Sequence, residues 1–241
     1  MFSNYLAWSI QPRLALHIPD GFLSLPVSLV FWVVTIGFLA LALNRVQTEL
    51  QERTVPLIGV CAAFIFAAQM INFPIPGGTS GHLVGGTLAG AFLGPWAGSL
   101  AVTAVFIVQS IFFQDGGLTV LGANIFVMGL VGTFGGYYIY KSIRYVLGRD
   151  NLRSAQIGAA VAAWVSVVVG AVIVAFQLAV SGTVPLVVAL SAMTFWHVLI
   201  GIGEALITVV ALSFVWRSRP DLIFDPPRKS LAPFSRPPVA R

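Results

Sequence analysis

The sequence predicts an all-α integral membrane protein of about seven transmembrane helices, with the amino terminus outside and the carboxyl terminus cytoplasmic. Three observations lead there. Apolar residues make up 58% of the 241 and charged residues only 9%, a composition that ordinary soluble domains do not have. Several apolar runs approach the roughly 20 residues with which a helix crosses a hydrocarbon core about 30 Å thick. Twelve of the 13 basic residues fall on one side when the spans are counted as seven, and Lys and Arg are retained on the cytoplasmic side. No alternating pattern points to a barrel.

The spans are read at Leu25 to Leu43, Leu57 to Ile71, Leu83 to Gly94, Trp96 to Phe113, Ile125 to Tyr140, Ala155 to Val180 and Val198 to Trp216. The third is too short to cross alone. Packing inside the bundle would tolerate it, because Gly86, Gly90 and Gly94 let backbones approach closely. A six-span alternative merges it with the fourth through Gly94-Pro95. In the seven-span count Arg45 and Arg53, then Lys141, Arg144, Arg149 and Arg153, then the tail from Arg217 all lie on the cytoplasmic side, and Arg13 is the exception. The formal charge of +5 is thus topology, and nucleic acid is not expected as a partner.

Three domain segments follow: 1–16 as a mis-assigned or processed extension, 17–216 as the polytopic membrane domain, and 217–241 as a disordered, Pro- and Arg-rich cytoplasmic tail. Cys61 is single and lies in an apolar run, so neither a disulfide nor a thiolate site is expected.

The loops on the other side, Phe73 to His82, Gln114 to Asn124 and Ser181 to His197, carry no Lys or Arg and mark the ligand-facing end. The segment Pro74-Ile-Pro-Gly-Gly-Thr-Ser-Gly-His82 breaks regular structure and delivers one imidazole to the mouth of an apolar run. A histidine so held suits a transition metal ion better than it suits filling space. A histidine that caps or hydrogen-bonds a helix start is the plainer alternative.

Four ordered motifs extend the reading. His17-Ile-Pro-Asp-Gly-Phe-Leu, the Pro74 to His82 loop with Gly94-Pro-Trp96 after it, Asp115-Gly-Gly-Leu-Thr-Val-Leu-Gly-Ala-Asn124 and His197-Val-Leu-Ile-Gly-Ile-Gly-Glu204 together resemble the CbiM/NikM family. Its members are the substrate-binding membrane subunits of cobalt and nickel energy-coupling-factor transporters. The resemblance runs from about His17 to Trp216. It implies a substrate-capture protein that binds Ni²⁺ or Co²⁺ from outside as cargo, with no permanently bound cofactor. It also implies a transmembrane coupling subunit, cytoplasmic ATPase subunits and a small accessory membrane subunit as partners, in the bacterial inner membrane. The ion in that family is held by nitrogen donors: the terminal amine, the amide and the imidazole of an initial Met-His, and the histidine of the Gly-Thr-Ser-Gly-His loop. Carried to this chain, the metal residues are His17 and His82. Planar nitrogen coordination suits Ni²⁺ and disfavours Mg²⁺ and Ca²⁺.

This chain departs from the family at its start, because His17 lies behind sixteen residues. Three explanations stand: initiation at the codon read here as Leu16, cleavage after Ala15, or a real extension with a site made of side chains alone. Met1 to Ala15 lack the basic region of a signal peptide. Asn72, Gln69, Gln109 and Asn124 are candidates to hydrogen-bond the metal histidines, with interhelical bonding as the alternative. His197, beside Trp196, is read as an interfacial residue and, in a secondary role, as a further candidate outer partner of the metal histidines. Glu204 lies within a span, where an acid is costly and a buried backbone or hydroxyl partner is expected. Asp20 and Asp115 read as turn residues. Gly132 with Gly136, and Gly201 with Ala205, are read as docking faces for the coupling subunit.

No catalytic residue is assigned. The chain has neither a Gly-x-x-x-x-Gly-Lys-Ser/Thr phosphate loop nor a His-Glu-x-x-His motif, so ATP hydrolysis falls to other subunits and an enzyme is not expected. An ion-coupled secondary divalent-cation transporter is the alternative, and it would usually show duplicated halves or several intramembrane acids.

Overall fold

The computed structural model describes residues 17–49, 54–75 and 80–227. Six helical segments follow one another: α1 (Leu25–Glu49), α2 (Thr54–Gln69), α3 (Gly86–Phe112), α4 (Leu121–Leu147), α5 (Leu152–Val180) and α6 (Leu186–Ser218). All but α2 are long and apolar enough to cross a membrane, and α2 is an apolar helix of 16 residues. One departure from an all-α chain stands between α2 and α3. There β1 (Asn72–Pro74) and β2 (Ser80–His82) pair antiparallel, with Asn72 opposite His82. Backbone removed from water must hydrogen-bond to something, and a strand pair does this where Pro and Gly obstruct a helix.

The two apolar runs read as the third and fourth spans lie within α3, which is broken at Gly94 (φ 79°, ψ 174°) ahead of Pro95. A Cβ on Gly98 would stand 2.9 Å from the Ala89 carbonyl oxygen, yet nine residues of continuous helix would separate the two by about 13.5 Å. The chain therefore folds back at Gly94, and only glycine takes that backbone conformation without strain. The short first arm is buried, and Cβ atoms on Gly86 and Gly90 would meet Gly132, Thr133 and Tyr137 of α4 within 3.0 Å. Leu83, Val84 and Gly85 lie outside the helix and carry the chain from β2 into it.

α4 is π-helical from Phe126 to Gly135, and Thr133 Oγ1 donates to the Met128 carbonyl five residues back at 3.0 Å. α5 buries a small-residue face that includes Ala155, Ala159, Ala162, Ser166 and Gly170, the spacing by which membrane helices approach closely. α6 begins at Leu186, twelve residues before the expected span. Leu186 to His197 is thus helix and not an outer loop, because the run after Pro185 is apolar enough to continue the element. The proposed docking glycines are used inside the bundle: Gly136 meets Thr87, and a Cβ on Gly201 would lie 2.8 Å from Trp164.

Past the boundary expected at 217, the described residues run on to 227. α6 continues to Ser218, and the chain then straps back across the basic end of the bundle. The Phe224 amide donates to the Ala91 carbonyl at 3.1 Å, Ile223 is buried, and the Phe224 ring covers the break at Gly94. Asp225 accepts from Tyr137 Oη at 2.6 Å, and its carbonyl accepts from Arg144 Nη1 at 2.9 Å. The expected extension 1–16 and the tail from 228 lie outside the described residues.

Candidate metal site

The first described residue, His17, meets β2 in the interior. The His17 and His82 rings stand edge to face with centroids 4.7 Å apart, and both side chains are buried. Phe106 of α3 closes the far side of His17, with ring centroids 4.5 Å apart. His82 Nδ1 lies 2.8 Å from the Leu83 carbonyl. A carbonyl only accepts, so the proton sits on Nδ1 and Nε2 presents its lone pair, the arrangement typical of a metal-binding imidazole. His17 is different: neither ring nitrogen has a hydrogen-bond partner among the described residues, although Nδ1 stands 3.3 Å from Asp115 Oδ1. Leaving a buried polar group unmatched costs about 1–3 kcal/mol.

Asn124 at the start of α4 fixes the backbone beside His17. Its Oδ1 accepts from the Ile18 amide and its Nδ2 donates to the Ile18 carbonyl, both at 3.1 Å. The Gly117 amide donates to the same carbonyl at 3.0 Å. Asp20 does more than turn the chain. Its carboxylate accepts from the amides of Leu118 at 3.1 Å and Thr119 at 2.8 Å, and from the Thr119 hydroxyl. Gly117 lies so close to Asp20 that no side chain fits there.

His82 is held from the other direction. The Glu204 carboxylate of α6 accepts from the Val84 amide at 2.8 Å and the Gly85 amide at 2.6 Å. Gln69 Nε2 donates to the Val84 carbonyl at 2.8 Å, and Gln109 Nε2 donates to Gln69 Oε1 at 3.0 Å. Gln109 therefore binds a neighbouring side chain and neither histidine. Its own carbonyl accepts the Asp115 amide at 3.1 Å, which links the His17 side of the site to the His82 side. Asn72 contributes the backbone that pairs with His82, and its side chain lies outside what the structure describes.

His197 is not an interfacial anchor. It is buried in α6 with Nδ1 2.8 Å from the Met193 carbonyl, and it lines one cavity together with His17, His82, Asn124, Ser166 and Met193. Among the described residues, no three His, Cys, Asp or Glu side chains converge on a single point. Sequence reasoning missed Asp115 beside His17; its signal was an acid in a segment that otherwise avoids charge.

Residues 17–222 match the family described as the cobalt uptake substrate-specific transmembrane region, CbiM. A relative from Archaeoglobus fulgidus, named for fused nickel transport, is 42% identical over 210 residues, covering 86% of this chain and 68% of its own. The cobalt transport protein CbiM of Sorangium cellulosum is 31% identical over 86% of this chain and 94% of its own. A crystal structure of a truncated transition metal transporter superposes with a TM-score of 0.77 at 33% identity, covering 84% of this chain and 99% of that one.

Proposed function

We propose, because this chain belongs to the CbiM family of cobalt uptake transmembrane regions, that it captures Ni²⁺ or Co²⁺ through the imidazoles of His17 and His82. It is a multi-pass membrane protein, which in a bacterial cell means the plasma membrane. The observation that carries the reading is the pair of buried rings 4.7 Å apart, one of them with both nitrogens unbonded among the described residues. Two imidazoles do not complete a coordination sphere. A terminal amine on residue 16 and the amide of His17 would add two nitrogens, and the family match that begins at residue 17 supports reading 1–16 as an extension outside the site.

In this mechanism the ion arrives from outside, sheds water and replaces the protons on its ligands. Asp115, already beside His17 Nδ1, lowers the electrostatic cost of bringing a dication into a low-dielectric interior. Glu204 and Gln69 hold the Val84–Gly85 backbone that follows His82, and Asn124 and Asp20 hold the backbone that follows His17. Seven crossings with the amino terminus outside fit the break at Gly94 and the basic end at Lys141 to Arg153. Energy comes from separate cytoplasmic ATPase subunits through a membrane coupling subunit, with a small accessory membrane subunit completing the transporter.

Titration of the purified chain with Ni²⁺ tests the site. His82→Ala is expected to weaken binding by more than about 100-fold, beyond what loss of an outer hydrogen-bonding partner costs. Binding unchanged in His82→Ala would remove the site. Mass spectrometry of the untagged protein from its own host reads the terminus, and a chain starting at Met1 would exclude the amine and amide donors.

A further inference from the structure

The first arm of α3 is held at both ends by the same element, α6 with the strap that follows it. At the outer end Glu204 accepts the Val84 and Gly85 amides just ahead of the arm. At the inner end the Ala91 carbonyl would accept from residue 95 in a continuous helix, but Pro95 has no N–H to give. The Phe224 amide of the strap takes that place at 3.1 Å. Resting on the capture reading above and extending it to release, we infer that the arm is an inward gate beneath the metal cavity and the strap its latch. Lifting the strap opens a way from the cavity toward the basic end of the bundle.

The arm stands where such a gate must stand. Val84, Gly132 and Ser166 line the cavity shared by His17 and His82. Thr87, in the first turn of the arm, has Oγ1 3.2 Å from Ser166 Oγ, so the arm and α5 meet directly under that space. The contacts of the arm with α4 are made largely through glycines, Gly86 against Gly132 and Gly90 against Tyr137. Such contacts bring backbones close but interlock few side chains. Gly94 supplies the hinge at the far end of the arm.

The two fastenings are unequal. Glu204 is 3% exposed, whereas Phe224 is 45% exposed with one face of its ring over Gly94. Local opening begins where contacts are few and open to solvent, which here is the strap. Ile223 seats it in a cluster with Ala91, Tyr137, Tyr140 and Leu212. Asp225 accepts from Tyr137 and lies 3.7 Å from Arg149 and 4.0 Å from Lys141. None of these contacts touches the metal histidines. In the orientation proposed above they face the cytoplasm, where a partner subunit can reach them.

The chain supplies its own reporter. Cys61 is its only cysteine and is buried in a cluster with Leu93 and Ala97, which flank the break at Gly94. In full-length protein in detergent, combining Phe224→Ala with Asp225→Ala is expected to speed labelling of Cys61 by N-ethylmaleimide at least about tenfold, because contacts opposing local opening are gone. Liposomes carrying the same variant around an enclosed Ni²⁺ indicator should admit Ni²⁺ at least about tenfold faster than wild type for the same reason. Ni²⁺ affinity should stay at the wild-type level. Phe224→Tyr with Asp225→Glu, which keep the ring and the charge, should return both rates toward wild type. Either rate unchanged in the double alanine variant would overturn the inference, and so would faster labelling accompanied by loss of Ni²⁺ binding, the mark of general loosening. Wild type that binds no Ni²⁺, with both responses intact, would instead overturn the capture reading and leave the latch.

Discussion

The Glu204 carboxylate accepts the Val84 amide at 2.8 Å, and so a helix far along the chain fixes the position of the histidine two residues before Val84. The same carboxylate takes the Gly85 amide, which leaves both oxygens engaged and the negative charge matched by two backbone dipoles. An acid that looks costly inside a span here holds the backbone that joins β2 to α3.

Glu204→Ala leaves two amides without an acceptor. Each buried amide left unmatched costs about 1–3 kcal/mol, so a clear drop in melting temperature in detergent is expected, together with weaker Ni²⁺ binding. Glu204→Gln keeps the shape and one acceptor oxygen and is expected to show a smaller drop. Equal melting of wild type and Glu204→Ala would remove the anchoring role.

Asn124→Ala removes both side-chain bonds to Ile18 without touching either imidazole. Loss of such an outer partner typically weakens metal binding by about 10- to 100-fold. Titration with Ni²⁺ should show that loss at nearly unchanged helicity by circular dichroism.

Gly117→Ala drives a methyl group into Asp20, and the amino-terminal segment must move away from the Leu118–Thr119 backbone. Metal binding is expected to weaken while the tertiary fold persists. A titration indistinguishable from wild type would show that the segment can be displaced without consequence.

Arg144→Ala strips the strap of its central contact. The buried guanidinium bonds Tyr140 Oη at 3.2 Å and the Asp225 carbonyl at 2.9 Å and lies over the Trp216 ring. Loss of about 1.5–3 kcal/mol for a charged hydrogen bond is expected, read as a lower melting temperature. Ni²⁺ affinity should be unchanged, because the strap sits at the opposite end of the first arm of α3 from His82.

Composition and apolar run lengths announced a helical membrane protein, because hydrocarbon accepts few other structures. Gly94-Pro95 announced a break, since few other residue pairs stop a helix so firmly. The Pro74 to His82 segment and its histidine were legible for a related reason, as irregular backbone in such a chain has to serve something. Helix ends were less legible. α6 starts well before Val198 and runs past Trp216, because a helix continues wherever neighbours pack against it, whatever the local hydropathy.

What the sequence by itself determined is the solvent and the element type, both of which follow from local composition and backbone chemistry. What only the tertiary structure decided is which of them meet. Asp115 beside His17, Glu204 under Val84 and Gln109 turned toward Gln69 each depend on contacts across 40 to 120 positions of chain, and His197 faces a cavity it shares with His17 and His82. Such pairings are fixed by how helices pack and fold back, which no local pattern encodes.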